Sequence, residues 1–445
     1  MHRAWGYSAN LATALVVGCC ALIYIKLNVL APIPGLPNPS DFYVYYHAGH
    51  DVLRGTSPFE NFAYFYPPLV AFVMSPFALL DYVTARWIWF ATSHVLLLAT
   101  AFLLWRAMGR NRSAACSIAC VWALGGAAKE SLQIGQLNPV LVFALAIAYT
   151  ERDKLRSSAV GVGFALKYIP GLLVAALFLH RRWSALVGFA GTVIAAFLLP
   201  WAVIRLAFTG PKIPVSSHFW MGTPSIFSWS IPSVVLRILT PIHRGNVLPH
   251  EWEFGNVAAT LHLGTRLEWI SAGTAIALLT VGTGALAWVC RGRLNRAQVP
   301  WAMAALVWLS LAAAPVCWSH YAILAYPGAA MLLAGAIRLR AWRMALGTAA
   351  CFAASYQLPQ WMLTRYHDAY GVWTAASPAA LYLWTSIAPL ASLGLFGIAL
   401  VYVRRLGLRA APDNRPAVPV KMFQGAGPSA PRTNRIPSSM HAEEQ

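Results

Sequence analysis

The sequence predicts an all-α polytopic membrane protein, and three observations carry that prediction. Hydrophobic residues make up 58% of the chain against 11% charged, with a mean hydropathy of +0.57, a balance outside the range of soluble globular domains. The apolar residues fall in long runs of spanning or half-spanning length. Lysine and arginine gather in the short connections between alternate runs, as the positive-inside rule requires.

Taken in order, the runs give about twelve spans, near 9–30, 87–105, 114–129, 138–150, 157–167, 169–180, 183–204, 268–290, 298–315, 320–337, 342–358 and 378–403. The first, Leu11–Leu30, is longer than a signal-peptide core and lacks a cleavage site, so it reads as an uncleaved anchor. The spans flanking Lys167-Tyr168-Ile169-Pro170 fall short of the ~20 residues a bilayer asks for. They are expected as half-length helices facing a cavity.

With the N-terminus in the cytoplasm, the connections at 106–112, 151–156, 180–182, 291–296 and 338–343 all fall inside, with the tail from Arg404. That side then holds 22 of the 33 lysines and arginines but only five of the 14 acids. The formal charge of +19 is thereby topogenic and gives no reason to expect nucleic acid as a partner. A crossing by Phe65–Leu80 would put Arg106, Arg110 and Arg112 outside. Residues 31–86 are therefore one large outer loop with surface-lying helices, and 205–267 and 359–377 are two more. Residues 1–405 form the membrane unit, and 406–445 read as a disordered basic cytoplasmic tail. The seven cysteines lie in or beside apolar runs, in neither disulfide nor metal-ligand spacing. A Gly-rich phosphate loop is missing, so the chain offers no evident nucleotide site.

The least typical stretch is Asn38–Glu60, where three acids, two histidines and an arginine sit among tyrosines. Ser40-Asp41 reads as a helix start. Asp41 and Tyr45 share a face, and Gly55-Thr56-Ser57-Pro58 ends the helix. The expected element is a short helix on the membrane surface that carries Asp41 to a cleft.

Other polar residues collect on the same outer side: Gln136 and Asn138 in QIGQLNP, Lys167, Ser225 and Arg237 in the second outer loop, and Ser319-His320 in PVCWSHY. Ionisable groups near a membrane are costly and usually face a cavity or a partner. An acid beside cations and amides suits a base that activates a hydroxyl next to an anion site. Each residue also has a plain reading: a helix-start acid, a snorkelling lysine, amides bridging helices, an interfacial arginine.

The segments DFYVYYHAGHDVLRGTSPF, FYPPLVAFVMSPFALL, QIGQLNPVLV, ALKYIPGLL, PSIFSWSIPSVVLRIL and PVCWSHYAILAYP, in this order, resemble the integral-membrane glycosyltransferases of family 87, within the GT-C fold class. The likeness extends over about residues 35–400. It implies a GT-C glycosyltransferase-like fold and an inverting transfer of a hexose, typically mannose. The implied donor is a polyprenyl-phosphate sugar and the acceptor a lipid or glycan, with the site on the outer face of the cytoplasmic membrane. It further implies Asp41 as general base, and His320 on the donor phosphate together with Lys167 and Arg237. Tyr45, Gln136, Asn138, Ser225 and Ser319 are then expected near the substrates, with no cofactor and no metal. Ala314 stands where the family motif has serine, and Tyr321 where it has a second histidine. Glucose and arabinofuranose remain alternative sugars. A lipid-linked-sugar flippase is the rival from another class, and it calls for polar residues at the midplane and repeated halves.

Overall fold

The structure, a computed structural model, describes residues 2–30, 41–61, 64–213, 228–239, 265–370 and 378–409. The chain begins with α1 (His2–Tyr24), whose last turns widen into a π-helix at Ile25–Leu30. Then come α2 (Asp41–Arg54), α3 (Pro68–Met74), α4 (Tyr82–Ala107), α5 (Arg112–Leu124), α6 (Gly126–Gln133), α7 (Asn138–Thr150) and α8 (Asp153–Leu166). A 3-10 turn at Ile169–Leu173 leads into α9 (Val174–Leu179), followed by α10 (Trp183–Val193), α11 (Leu199–Ala207) and α12 (Ile231–Leu239). The remaining helices are α13 (Thr265–Val289), α14 (Val299–Ala313), α15 (Tyr326–Arg338), α16 (Trp342–Ser355), α17 (Gln357–Tyr370) and α18 (Pro378–Arg409). A second 3-10 helix, Ser319–Ala325, precedes α15.

Among the described residues there are no strands, only isolated bridges, Thr56 to Thr209 and Ser228 to Trp318. Capping follows sequence logic: Asp81 accepts from Thr84 N at 3.0 Å to start α4, and Asn111 accepts from Ala114 N at 2.9 Å to start α5.

Among the described residues, six helical stretches are long and apolar enough to cross a membrane: Asn10–Leu30, Tyr82–Ala107, Trp183–Ala207, Arg266–Val289, Ser319–Arg338 and Trp384–Gly407. The other expected spans are helical but shorter, among them α5, α7 and α14. Among the described residues, six of the roughly twelve expected spans therefore reach the length of a full crossing. The run expected as one span at 114–129 is two helices, because Gly125 breaks it. A Cβ on Gly125 would stand 2.0 Å from the Tyr326 hydroxyl, so only glycine lets α15 approach there. The stretch Phe65–Leu80 holds only the seven-residue α3 and a 3-10 turn, as a non-crossing segment should. The expected end of the membrane unit at 405 falls inside α18, and residues 410–445 lie outside the described set.

Burial sorts the helices. The window in Asn10–Leu30 is 11% buried, whereas that in Ser319–Arg338 is 89% buried. All fifteen residues of α14, VPWAMAALVWLSLAA, are buried, the behaviour of a helix apolar all round. It packs against α18, α13, α7 and the Ile169–Leu173 turn, and forms the axis of the bundle.

The basic connections gather at one end of that bundle. Arg106 pairs with Glu151 at 2.6 Å, Arg156 with Asp153 at 3.1 Å, and His180 lies 3.7 Å from the same aspartate. Leu294 N donates to Leu179 O at 2.9 Å, Gln298 Nε2 to Val403 O at 2.7 Å, and Arg405 lies 3.3 Å from Met344 Sδ. Four helices at this end terminate on an arginine in the left-handed region: Arg110, Arg181, Arg291 and Arg340, with φ of 53° or 54°. Asp41, Gln136, Asn138, Lys167 and His320, singled out in the sequence, meet at the opposite end.

Candidate active site

The site is organised by the turn between α6 and α7. Gly135 has φ +69°, and a Cβ there would lie 2.5 Å from Phe42 Cβ, so the turn admits only glycine against the start of α2. Phe42 N donates to Ile134 O at 3.0 Å, which pins the first turn of α2. The same turn is held from α4 by Trp89 Nε1 to Gly135 O at 3.0 Å and Arg86 Nη2 to Gln133 O at 2.7 Å. Asp41, the first residue of α2, is thereby set beside Gln136.

Gln136 is the hub. Its Nε2 donates to Asp41 Oδ2, and its Oε1 accepts from Tyr45 Oη at 3.0 Å and Lys167 Nζ at 3.3 Å. Lys167, in the break between α8 and the following 3-10 turn, also donates to Asn138 Oδ1 at 3.2 Å and lies 3.6 Å from the centre of the Tyr321 ring. Tyr321 thus gives the ammonium an aromatic face. Asn138 Nδ2 donates to His320 O at 3.0 Å, as Ser131 Oγ does at 3.1 Å. Six expected residues from four segments are therefore joined in one network.

These groups border a cavity of about 890 Å³. Asp41, Glu130, Gln136, Lys167, Ser319 and His320 line its polar end, and Phe164, Leu172, Val174, Phe189, Leu279 and Val316 its apolar part. Tyr45 and Asn138 stand behind the wall. Lys167 is buried, with 6% exposure, and the acceptors of its hydrogen bonds, Gln136 Oε1 and Asn138 Oδ1, are neutral. No carboxylate among the described residues lies within ion-pairing distance of it. Burial pushes the Lys167 ammonium down to about 7, opposed by the nearby Asp41, so an anion entering beside it would favour the charged form. Burial pushes the Asp41 carboxyl above its ordinary range, opposed by His320, Lys167 and the Gln136 hydrogen bond.

Arg237 does not line the cavity. It is buried on α12, donates to Ser228 O at 3.0 Å, and so braces the segment before the 3-10 helix. Ser228 Oγ accepts from Cys317 N at 3.0 Å, and Trp229 N donates to Cys317 O at 2.6 Å. The arginine expected on the phosphate thus supports the loop that carries Ser319 and His320. Ser225 lies outside the described residues.

Sequence reasoning missed Glu130. Its Oε1 accepts from Ser319 Oγ at 2.6 Å and lies 3.6 Å from His320 Nδ1; its Oε2 accepts from Tyr356 Oη at 2.9 Å. Burial would raise its carboxyl, but the contacts with His320, Ser319 and Tyr356 outweigh that and hold it below the ordinary range. The signal was Lys129-Glu130 at the end of an apolar run, which a single helix would have hidden. Among the described residues, no group of three or more histidines, cysteines or acids is placed to hold a metal.

A sequence model described as glycosyltransferase family 87 matches residues 64–296, slightly more than half of the 445-residue chain. The matched part holds Glu130, Gln136, Asn138, Lys167 and Arg237, and the fold brings Asp41 and His320 to it from either side. No curated protein matches the chain.

Proposed function

The chain belongs to glycosyltransferase family 87, and on that premise we propose that it transfers a hexose from a polyprenyl-phosphate donor to a lipid or glycan acceptor. It is a membrane glycosyltransferase by family and by its apolar helices. The observation that carries the finer reading is the character of the cavity. At one end a buried lysine without a carboxylate partner stands near an acid and a histidine. Away from it the wall is apolar and includes Phe189 and Leu279, from helices long enough to cross a membrane. An amphiphile with an anionic head and a hydrocarbon tail suits both parts; a nucleotide sugar suits only the first.

The chemistry follows from placement. The acceptor hydroxyl approaches Asp41, which takes its proton as the oxygen attacks the anomeric carbon. The new carbon–oxygen bond forms as the bond to the phosphate oxygen breaks, and the electron pair leaves with the polyprenyl phosphate. Attack from the face opposite the leaving group inverts the anomeric centre. Lys167 and His320 meet the growing phosphate charge from fixed positions, where such groups act more strongly than in water. Gln136 ties base to cation by bonding both Asp41 and Lys167. The site then opens outward, at the end away from the basic connections, which the positive-inside rule puts in the cytoplasm.

The test is transfer of label into extracted lipid and glycan from polyprenyl-phosphate mannose, glucose and arabinofuranose, each offered to membranes containing the protein. Incorporation from mannose is expected. Movement of a labelled lipid between leaflets without transfer from any donor would replace this reading with a flippase.

A further inference from the structure

We propose that Glu130 is a positioning residue for the donor phosphate, acting through His320. The inference rests on the reading of His320 as the group that meets that phosphate, and it adds a residue the sequence did not suggest.

Glu130 and His320 come from α6 and the 3-10 helix before α15, two elements packed together. Each is held by other contacts. Ser319 and Tyr356 donate to separate oxygens of Glu130, so the carboxylate cannot rotate freely. Ser131 and Asn138 hold the His320 carbonyl, so the backbone beneath the ring is fixed. The His320 ring turns Nδ1 toward Glu130 at 3.6 Å, and Nε2 is buried with no hydrogen-bond partner among the described residues.

Leaving a ring nitrogen dry and unpaired is unfavourable. His320 lines the cavity, so a ligand there that brings an acceptor recovers that cost. A carboxylate on one nitrogen of a histidine fixes the tautomer and orients the ring, which leaves the other nitrogen for the ligand. Glu130 fits that role here.

The charges agree. The polar end sets two acidic side chains, Asp41 and Glu130, beside two basic ones, Lys167 and His320. A phosphate diester adds one negative charge, and cleavage to the monoester adds another. The basic groups must then be placed where that charge develops, and Glu130 holds one of them in place. The glutamate keeps 30% exposure of its side chain and is not buried as a purely internal brace would be.

The experiment is a double-mutant cycle on the intact protein with Glu130→Gln, His320→Gln and the pair. Farnesyl monophosphate serves as the binding probe, and sugar transfer is measured beside it. Glu130→Gln is expected to weaken probe binding about tenfold and lower kcat about 10- to 100-fold, with acceptor KM unchanged. In the His320→Gln background it should cost less than about threefold, since its target is already gone. Glu130→Asp should recover part of the loss. Tyr356→Phe, which removes one anchor and keeps the charge, should lose only about two- to fivefold. Equal losses in both backgrounds, or wild-type behaviour of Glu130→Gln, would overturn the inference alone. Failure of the wild type to bind the probe would overturn the donor reading and this inference with it.

Discussion

The two ends of the bundle are both polar, yet they use charge in opposite ways. At the basic end the arginines Arg110, Arg181, Arg291 and Arg340 are exposed, and each closes a helix in a left-handed conformation. Their contacts are local, and several lie in short hairpin connections. At the other end Lys167, His320 and Asn138 are buried and tied through Gln136 and Glu130 to partners distant in sequence. Charge at the first end sets orientation through its sum, so any one residue is replaceable. At the second end each group has a fixed partner and an assigned direction, so loss of one disturbs the others.

That contrast can be broken by substitution, and the largest effect is expected at Asp41. Asp41→Asn keeps the hydrogen-bonding shape and removes the base, and turnover should fall by about 10³-fold or more while donor binding stays within about threefold. Turnover near wild type would remove the acid from the mechanism. Next comes Lys167→Met, which should cost about 100-fold in kcat/KM for the donor. It also gives a signed pH effect. The Asp41 carboxyl is already raised by burial, and Lys167 is one of the groups opposing that rise. Without the lysine the carboxyl rises further, so the acid limb of the rate profile should move to higher pH. A limb that stays in place would separate the two groups.

Arg237→Met tests the bracing role. It should lower stability by about 2 kcal/mol through the lost charged hydrogen bond, and kcat by several-fold, with thermal unfolding in detergent as the check. A large loss of donor affinity with stability intact would return Arg237 to the phosphate. The smallest effect belongs to the basic end. Arg110→Gly relieves a left-handed strain of about 1 kcal/mol but adds freedom to the unfolded chain of about 0.5–1 kcal/mol. Stability should change by less than about 1 kcal/mol, and transfer should be unaffected.

Much of this was legible in the sequence. The basic connections, the short helix starting at Asp41, and the half-length helices around Lys167 all follow from local pattern. Gln136, Asn138, Lys167, Ser319 and His320 could be suspected because polar groups near a membrane need a reason. What was not legible depended on distant packing. The break that turns Glu130 into the site requires Tyr326 against Gly125, some 200 residues away. Whether Arg237 lines the cavity or backs it depends on Ser228 and Cys317, which only the fold places side by side. Which of the apolar runs are full crossings was not legible either, because helices that end at a cavity are apolar without being long.

Two carboxylates, Asp41 and Glu130, border one cavity, and the account gives them different work: one takes a proton, the other holds a histidine. The most direct test is the anomeric configuration of the product, read by NMR from transfer with a donor of known configuration. A single base with direct displacement of the lipid phosphate predicts an anomer opposite to the donor's. Retention would mean that a carboxylate attacks the sugar and forms a covalent intermediate, contradicting the assignment of Asp41 as a base.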